Sequence, residues 1–299
     1  MMKSANLIFF GNERLSTGFT PQGAPTLQAL ILAGYTVSAV VANYEKGNSR
    51  NARQLEVEAV AKKYHIPLLL PSSPNSIQQQ LAGYKPAVGV LVAYGKLISQ
   101  SIIDVFPHGI VNIHPSLLPA YRGPTPIEQA ILDGAPKTGV SLMQLVKKMD
   151  AGPVYAQREV NLQGSESKKH LTDQLLQHGK NLLIETLPHI LSGTLTPLPQ
   201  DEQNATYTSL IKKSDGIMDL RKPAKQLERE VRAYNGWPKS KATMLGHDIV
   251  VTKVRIAEDE SDGALTITCD PGWLEILELI APSGRTMTGI DFLRGYGKR

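Results

Sequence analysis

Ala87-Val88-Gly89-Val90-Leu91-Val92-Ala93, entered through Pro86, is apolar at every position. A strand with one wet face alternates apolar and polar residues. A run without alternation is covered on both faces, as in a parallel sheet held between helices. Toward the N-terminus, Asn6 to Phe10 reads as another buried strand, and Pro25 to Ala33 as a helix with proline in its first turn and Gly34 closing it. Thr36 to Ala42 reads as a strand, Leu55 to Tyr64 as a helix, and Leu68-Leu69 as a third, short strand. This alternation predicts an α/β fold: a Rossmann-like, parallel-rich sheet with helices on both faces. Gly11-Asn12-Glu13 has no G-x-G-x-x-G behind it, so a dinucleotide site is not expected.

Toward the C-terminus, Gly109-Ile110-Val111-Asn112-Ile113-His114 reads as the next strand, stopped by Pro115. Period-two alternation sets Asn112 and His114 on one face and turns Ile113 into the core. Two polar groups thus meet at a strand's carboxyl end, where open α/β sheets place ligands. Pro136 to Val146 and Pro153 to Val160 read as strands flanking Asp150. Lys168 to Leu191 is helical, with Leu171, Leu175, Leu176, Leu182 and Leu183 near helical spacing. Thr194 to Glu202 is extended, which divides the chain into 1–192, a linker at 193–206, and 207–299. In the last part, Pro223 to Tyr234 has Leu227, Val231 and Tyr234 on one helical face and Lys225, Arg229 and Arg232 off it. Short β-like runs (242–245, 249–255, 265–269 and 273–279) follow, the spacing of a small barrel.

A length of 299 residues suits two domains. The single cysteine, Cys269, allows no internal disulfide and suits a reducing cytoplasm. No run approaches the length of a membrane span, and no histidine–cysteine spacing suggests a metal site. Net charge is +5, and residues 212–241 hold nine basic against four acidic residues. Such a strip suits a phosphate backbone, and equally a solvated helix face.

The strand end Asn112-Ile113-His114 runs into Pro115-Ser116-Leu117-Leu118-Pro119-Ala120-Tyr121-Arg122-Gly123, and Asp150-Ala151-Gly152-Pro153 comes later. Each polar residue alone has an ordinary explanation. A strand-end histidine is often structural, an asparagine there often bonds its own backbone, and an aspartate often opens a turn. Together an amide, an imidazole and a carboxylate supply the parts for moving a one-carbon acyl group onto an amine. Attack on a formyl carbonyl places negative charge on oxygen; Asn112 and a protonated His114 can donate to it, one such donor being worth roughly 3–4 kcal/mol. Asp150 would orient the imidazole and take the amine's proton through a water.

This constellation resembles the folate-dependent formyltransferases, whose signature is Asn-x-His-x-Ser-Leu-Leu-Pro-x-x-Arg-Gly with a later Asp-x-Gly. The resemblance spans nearly the whole chain. It implies 10-formyltetrahydrofolate as formyl donor and Asn112, His114 and Asp150 as catalytic residues. Ser116, Leu117, Leu118 and Pro119 would hold the pterin beside Tyr94 and Gly95, with Arg122 and Gly123 as structural support. Arg232-Ala233-Tyr234-Asn235-Gly236-Trp237-Pro238 and Met287-Thr288-Gly289-Ile290-Asp291-Phe292-Leu293-Arg294-Gly295 resemble the C-terminal, OB-like domain of methionyl-tRNA formyltransferases. That implies methionyl initiator tRNA as acceptor, with Lys46, Arg50, Arg53, Arg229 and Arg232 as its contacts, and a monomer without metal or membrane. Two departures stand out. Residues 11–24 are longer and more polar than the family's short Gly-Thr-Pro loop, and 43–53 match its basic loop only loosely. Sugar-nucleotide N-formyltransferases share the donor and a second domain, and are the alternative.

Overall fold

The computed structural model describes residues 5–19, 23–43, 55–259 and 263–297. The N-terminal elements run in chain order β1 (Asn6–Gly11), α1 (Pro25–Leu32), β2 (Thr36–Val41), α2 (Glu56–Lys63), β3 (Leu68–Leu69), α3 (Gln78–Gly83), β4 (Val88–Val92), α4 (Gln100–Ile103), β5 (Ile110–His114), α5 (Pro126–Asp133), β6 (Lys137–Gln144), β7 (Val154–Asn161) and α6 (Lys168–Leu191). The strands form one seven-stranded sheet in the order β3-β2-β1-β4-β5-β6-β7. The first five are parallel; β6 runs antiparallel to both β5 and β7.

Side-chain parity divides the interior into two cores. Leu7, Phe9, Val90, Val111 and Ile113 pack with α1, α2, α5 and α6, whereas Ile8, Phe10, Leu91 and Ile110 pack with α3 and α4. The helix α6 begins because Ser167 caps it, its side chain accepting from the His170 amide. It is held by Leu171, Leu175, Leu183 and Leu187, all fully buried. Burial of each such leucine contributes roughly 1.5–3 kcal/mol.

The C-terminal elements are α7 (Ala224–Ala233), β8 (Ser240–Met244), β9 (His247–Ala257), β10 (Thr266–Cys269), β11 (Gly272–Ile280), β12 (Thr286–Thr288) and α8 (Gly289–Tyr296). An antiparallel sheet in the order β10-β11-β9-β8, with β12 also on β11, closes over Leu227 and Val231 of α7 and Phe292 of α8. Ala233 and Tyr234 belong instead to the N-terminal core, so α7 bridges both units. Four helices, α3, α4, α5 and α8, escaped the sequence reading, although the caps of the last two are legible. α5 has Pro126 in its first turn and left-handed Gly134 at its end. α8 starts where Thr288 Oγ1 accepts from the Asp291 amide. Among the described residues no helix is long and apolar enough to cross a membrane, and no cluster of His, Cys, Asp or Glu could hold a metal.

Candidate active site

The order of the sheet reverses at β1, which lies between β2 and β4, and loops leaving strands at such a point diverge to open a crevice. Arg14 and Leu15 after β1, Ala93 to Ile98 after β4, Asn112 and His114 of β5, and Leu145, Val146, Lys147, Met149 and Asp150 after β6 line a cleft of about 450 Å³. Asn112 and His114 share the parity of Ile110 and are 6% and 5% exposed. Ile113 is turned into the opposite core, as alternation requires.

Asp150 arrives from the reversal between β6 and β7 with a left-handed φ of 48°. Two residues on, a Cβ on Gly152 would stand 1.8 Å from the Gln144 carbonyl oxygen, so the chain can pass there only as glycine. This steric demand explains the aspartate–x–glycine spacing. The carboxylate Oδ2 accepts from the Gly123 amide at 2.8 Å and stands 3.7 Å from His114 Nδ1. His114 Nε2 is 3.0 Å from the Tyr121 carbonyl. A carbonyl only accepts, so Nε2 carries a proton and Nδ1 is the atom turned toward Asp150. Asn112 lines the same cleft, and its amide is engaged by no described residue. One uncommitted donor therefore sits beside an imidazole–carboxylate pair.

The cleft walls suit a flat, largely apolar ligand. Leu97 and Met149 stand on its lips 79% and 54% exposed, apolar surface that a bound ring system would cover. Tyr94 packs edge-on against Phe10 at 5.7 Å, and its buried hydroxyl has no partner among the described residues. Burial pushes that phenol up to about 12, so it stays a neutral donor. Gly95 has φ 75° and nothing near its Cβ position. A larger groove of about 1210 Å³ runs past Tyr121, α5 and Tyr207 to Ile211, but it contains none of Asn112, His114 and Asp150.

Ser116, Leu117, Leu118 and Pro119, expected to hold the pterin, run on from His114 and are fixed by the neighbouring strands. Ser141 of β6 donates to the Ser116 carbonyl at 2.6 Å and accepts from the Leu118 amide at 3.0 Å. Gln157 of β7 donates to the Leu118 carbonyl at 2.8 Å, and Ser116 itself bonds the Ala120 carbonyl. Leu117 faces the larger groove. The loop is stitched onto the antiparallel strands just past the histidine. Arg122 is fully buried, held by Gln200, Glu202 and Tyr207. Arg122 first and Lys148 next hold Glu202 down to about 2. Gly123, at φ 114°, presses against the Thr208 carbonyl.

Residues 15–187 match the formyl transferase family profile, and residues 210–297 match that of the formyl transferase C-terminal domain. Methionyl-tRNA formyltransferase of Chloroflexus aurantiacus is 35% identical over 90% of this chain and 92% of its own length. The chain belongs to the methionyl-tRNA formyltransferase family. Solved structures share its fold at lower identity. HypX of Aquifex aeolicus superposes with a TM-score of 0.68 at 17% identity, covering 99% of this chain and 50% of that longer one. The N-formyltransferase of Helicobacter canadensis, in complex with folinic acid and dTDP-3-aminofucose, also gives 0.68, at 16% identity over 90% of this chain and 97% of its own.

Two arginines expected on the RNA face of this family member have intramolecular tasks. Arg232 makes a two-point pair with Glu228 and donates to the Glu166 carbonyl at 3.1 Å. Arg229 donates to the Asp133 carbonyl at the end of α5, locking α7 to the first domain. Amphipathic patterning marks both as off the buried face but cannot say that a second domain lies there. Lys46, Arg50 and Arg53 lie outside the described residues. Sequence reasoning also missed the cleft residues Arg14, Leu15, Leu97, Ile98, Leu145, Val146 and Met149. The available signal was their position just past strand carboxyl ends.

Proposed function

We propose that the protein transfers the formyl group of 10-formyltetrahydrofolate to the α-amine of methionyl initiator tRNA, supplying translation initiation. The observation that carries this reading is the convergence of Asn112, His114 and Asp150 in one cleft with apolar lips. The folate supplies the formyl carbon, and the loop Ser116, Leu117, Leu118 and Pro119 with Tyr94 and Gly95 would hold it, beside the apolar Leu97, Ile98, Leu145 and Met149. The Asn112 amide donates to the formyl oxygen as its charge develops. His114 Nδ1, backed by Asp150, takes the proton the amine sheds, directly or through a water, and gives it to the folate N10 as the formyl–N10 bond breaks. Nε2 stays on the Tyr121 carbonyl and fixes the ring. No protein nucleophile is needed, because the attacking nitrogen belongs to the acceptor.

Residues 1–192 form the catalytic domain in this reading, 193–206 the linker, and 207–299 the RNA-facing domain. Lys46, Arg50 and Arg53 remain candidates for phosphate contact on sequence position alone. One chain carries every group of the site, which supports action as a monomer, in the cytoplasm where the acceptor is made. The test supplies 10-formyltetrahydrofolate with either charged initiator tRNA or an amino-sugar nucleotide. Formyl transfer to the methionyl amine is expected; transfer to the sugar and not the tRNA would replace this reading by the sugar-nucleotide one.

A further inference from the structure

We propose that Gln200, on the segment joining the two domains, is a positioning residue for Asp150; the proposal rests on the catalytic reading of that carboxylate. The Gln200 amide uses its full bonding capacity. Its Oε1 accepts from Arg122 Nε at 3.0 Å and Nη2 at 2.8 Å, and its Nε2 donates to the Asp150 carbonyl at 2.8 Å and the Gly152 carbonyl at 2.7 Å. A guanidinium offers only donors and two carbonyls offer only acceptors, so the amide can sit in one orientation alone.

What Gln200 holds is a loop whose own ties are few, the Ala151 amide donating to the Lys148 carbonyl at 3.3 Å and the Gln144 amide to the Pro153 carbonyl at 2.8 Å. Asp150 has a left-handed backbone, less costly for aspartate than for most residues but still in need of support from its surroundings. The same segment ties the loop again through Glu202, which takes Lys148 Nζ at 2.7 Å while pairing with Arg122. Arg122 is fixed in turn by backbone bonds to Thr206 and Thr208. From the other side, the Gly123 amide takes the Asp150 carboxylate. The carboxylate is therefore placed by Gly123 through its side chain and by Gln200 through its main chain. The segment leading to the second domain is thus part of the machinery that sets the distance from Asp150 to His114.

Gln200→Glu tests this in the full-length protein. It keeps the shape and the acceptor for Arg122, removes both N–H donors, and sets a carboxylate against the two carbonyls. A displacement near 1 Å at a reacting group costs on the order of 100-fold in rate. The expected result is a kcat lowered about 10- to 100-fold with the KM for methionyl-tRNA unchanged and folding retained. In an Asp150→Asn background, single-turnover rates with and without Gln200→Glu should agree, because the group being positioned is already gone. An undiminished second loss in that background overturns the proposal. So does a near-normal kcat for Gln200→Glu where Asp150→Asn is crippled, which leaves the catalytic reading intact. Near-normal turnover by Asp150→Asn sinks the catalytic reading instead, and the proposal with it. Should Gln200→Glu not fold, Gln200→Met carries the same expectations without the added charge.

Discussion

Lys168 opens α6 with a fully buried ammonium, and replacing it by methionine should be costly in a way the structure specifies. Its Nζ donates to the carbonyls of Thr17 and Trp237, both at 3.1 Å, and stands 3.6 Å from Glu128 Oε1. Glu128 is 2% exposed, and Lys168 is the cation facing it among the described residues. Lys168→Met leaves that carboxylate buried without a countercharge, a loss of about 3–5 kcal/mol. For a chain of this size the apparent Tm falls by roughly 6–15 °C. The penalty depends on pH. Burial already raises the Glu128 carboxyl against the opposing Lys168 charge, and removing the lysine raises it further. The folded variant then keeps a proton that the unfolded chain has released. Its stability is greatest at low pH and falls as pH rises, so the Tm deficit is larger at about pH 8 than at about pH 5.5. Adding Glu128→Gln removes the stranded charge and should return most of the loss. Calorimetric or dichroism melts of the three proteins at both pH values decide it. A Lys168→Met melt within about 2 °C of the parent at both, or a deeper loss on adding Glu128→Gln, refutes the reasoning. Even the stabilised double variant should show a raised KM for tRNA. Thr17 belongs to the loop that brings Arg14 and Leu15 to the cleft, and Trp237 to the second domain.

Asn112→Ala should lower turnover about 100- to 1,000-fold with the fold retained, the loss of one donor at the developing oxyanion; steady-state rates check it, and a change below about tenfold removes that role. Glu13 gives a stability signature. Burial raises its carboxyl to about 7 against the opposing Leu27 and Thr26 amides, which it accepts at the start of α1. Its folded value exceeds its unfolded one, so its contribution is present at low pH and is lost as pH rises through about 7. Denaturant midpoints should fall across that window in the parent and flatten in Glu13→Gln; identical slopes would show that Glu13 does not control them.

Much of the site was legible because strand alternation is local. Asn112 and His114 share a face whatever surrounds them, and an apolar run such as Val88 to Val92 requires cover on both sides wherever it lies. The proline and glycine signals of α5 were equally local and simply unread. The Ser-Leu-Leu-Pro segment was different in kind. Its residue types suit a ligand pocket and a packed turn equally, and only the tertiary structure brings Ser141 and Gln157 alongside to fix its backbone. Arg232 shows the same limit, since its partners include the Glu166 carbonyl at the foot of α6.

The sequence by itself determined the strand–helix alternation, the pair of polar groups at the end of β5, and the glycine that lets the aspartate loop turn. These follow from backbone sterics and side-chain period, which act over a few residues. The tertiary structure decided which loops form the cleft, that Asp150 comes within 3.7 Å of His114, and that the segment joining the domains clamps the aspartate loop. Those depend on contacts between residues far apart in the chain, and hydrogen-bond partners at that separation leave no mark on local pattern.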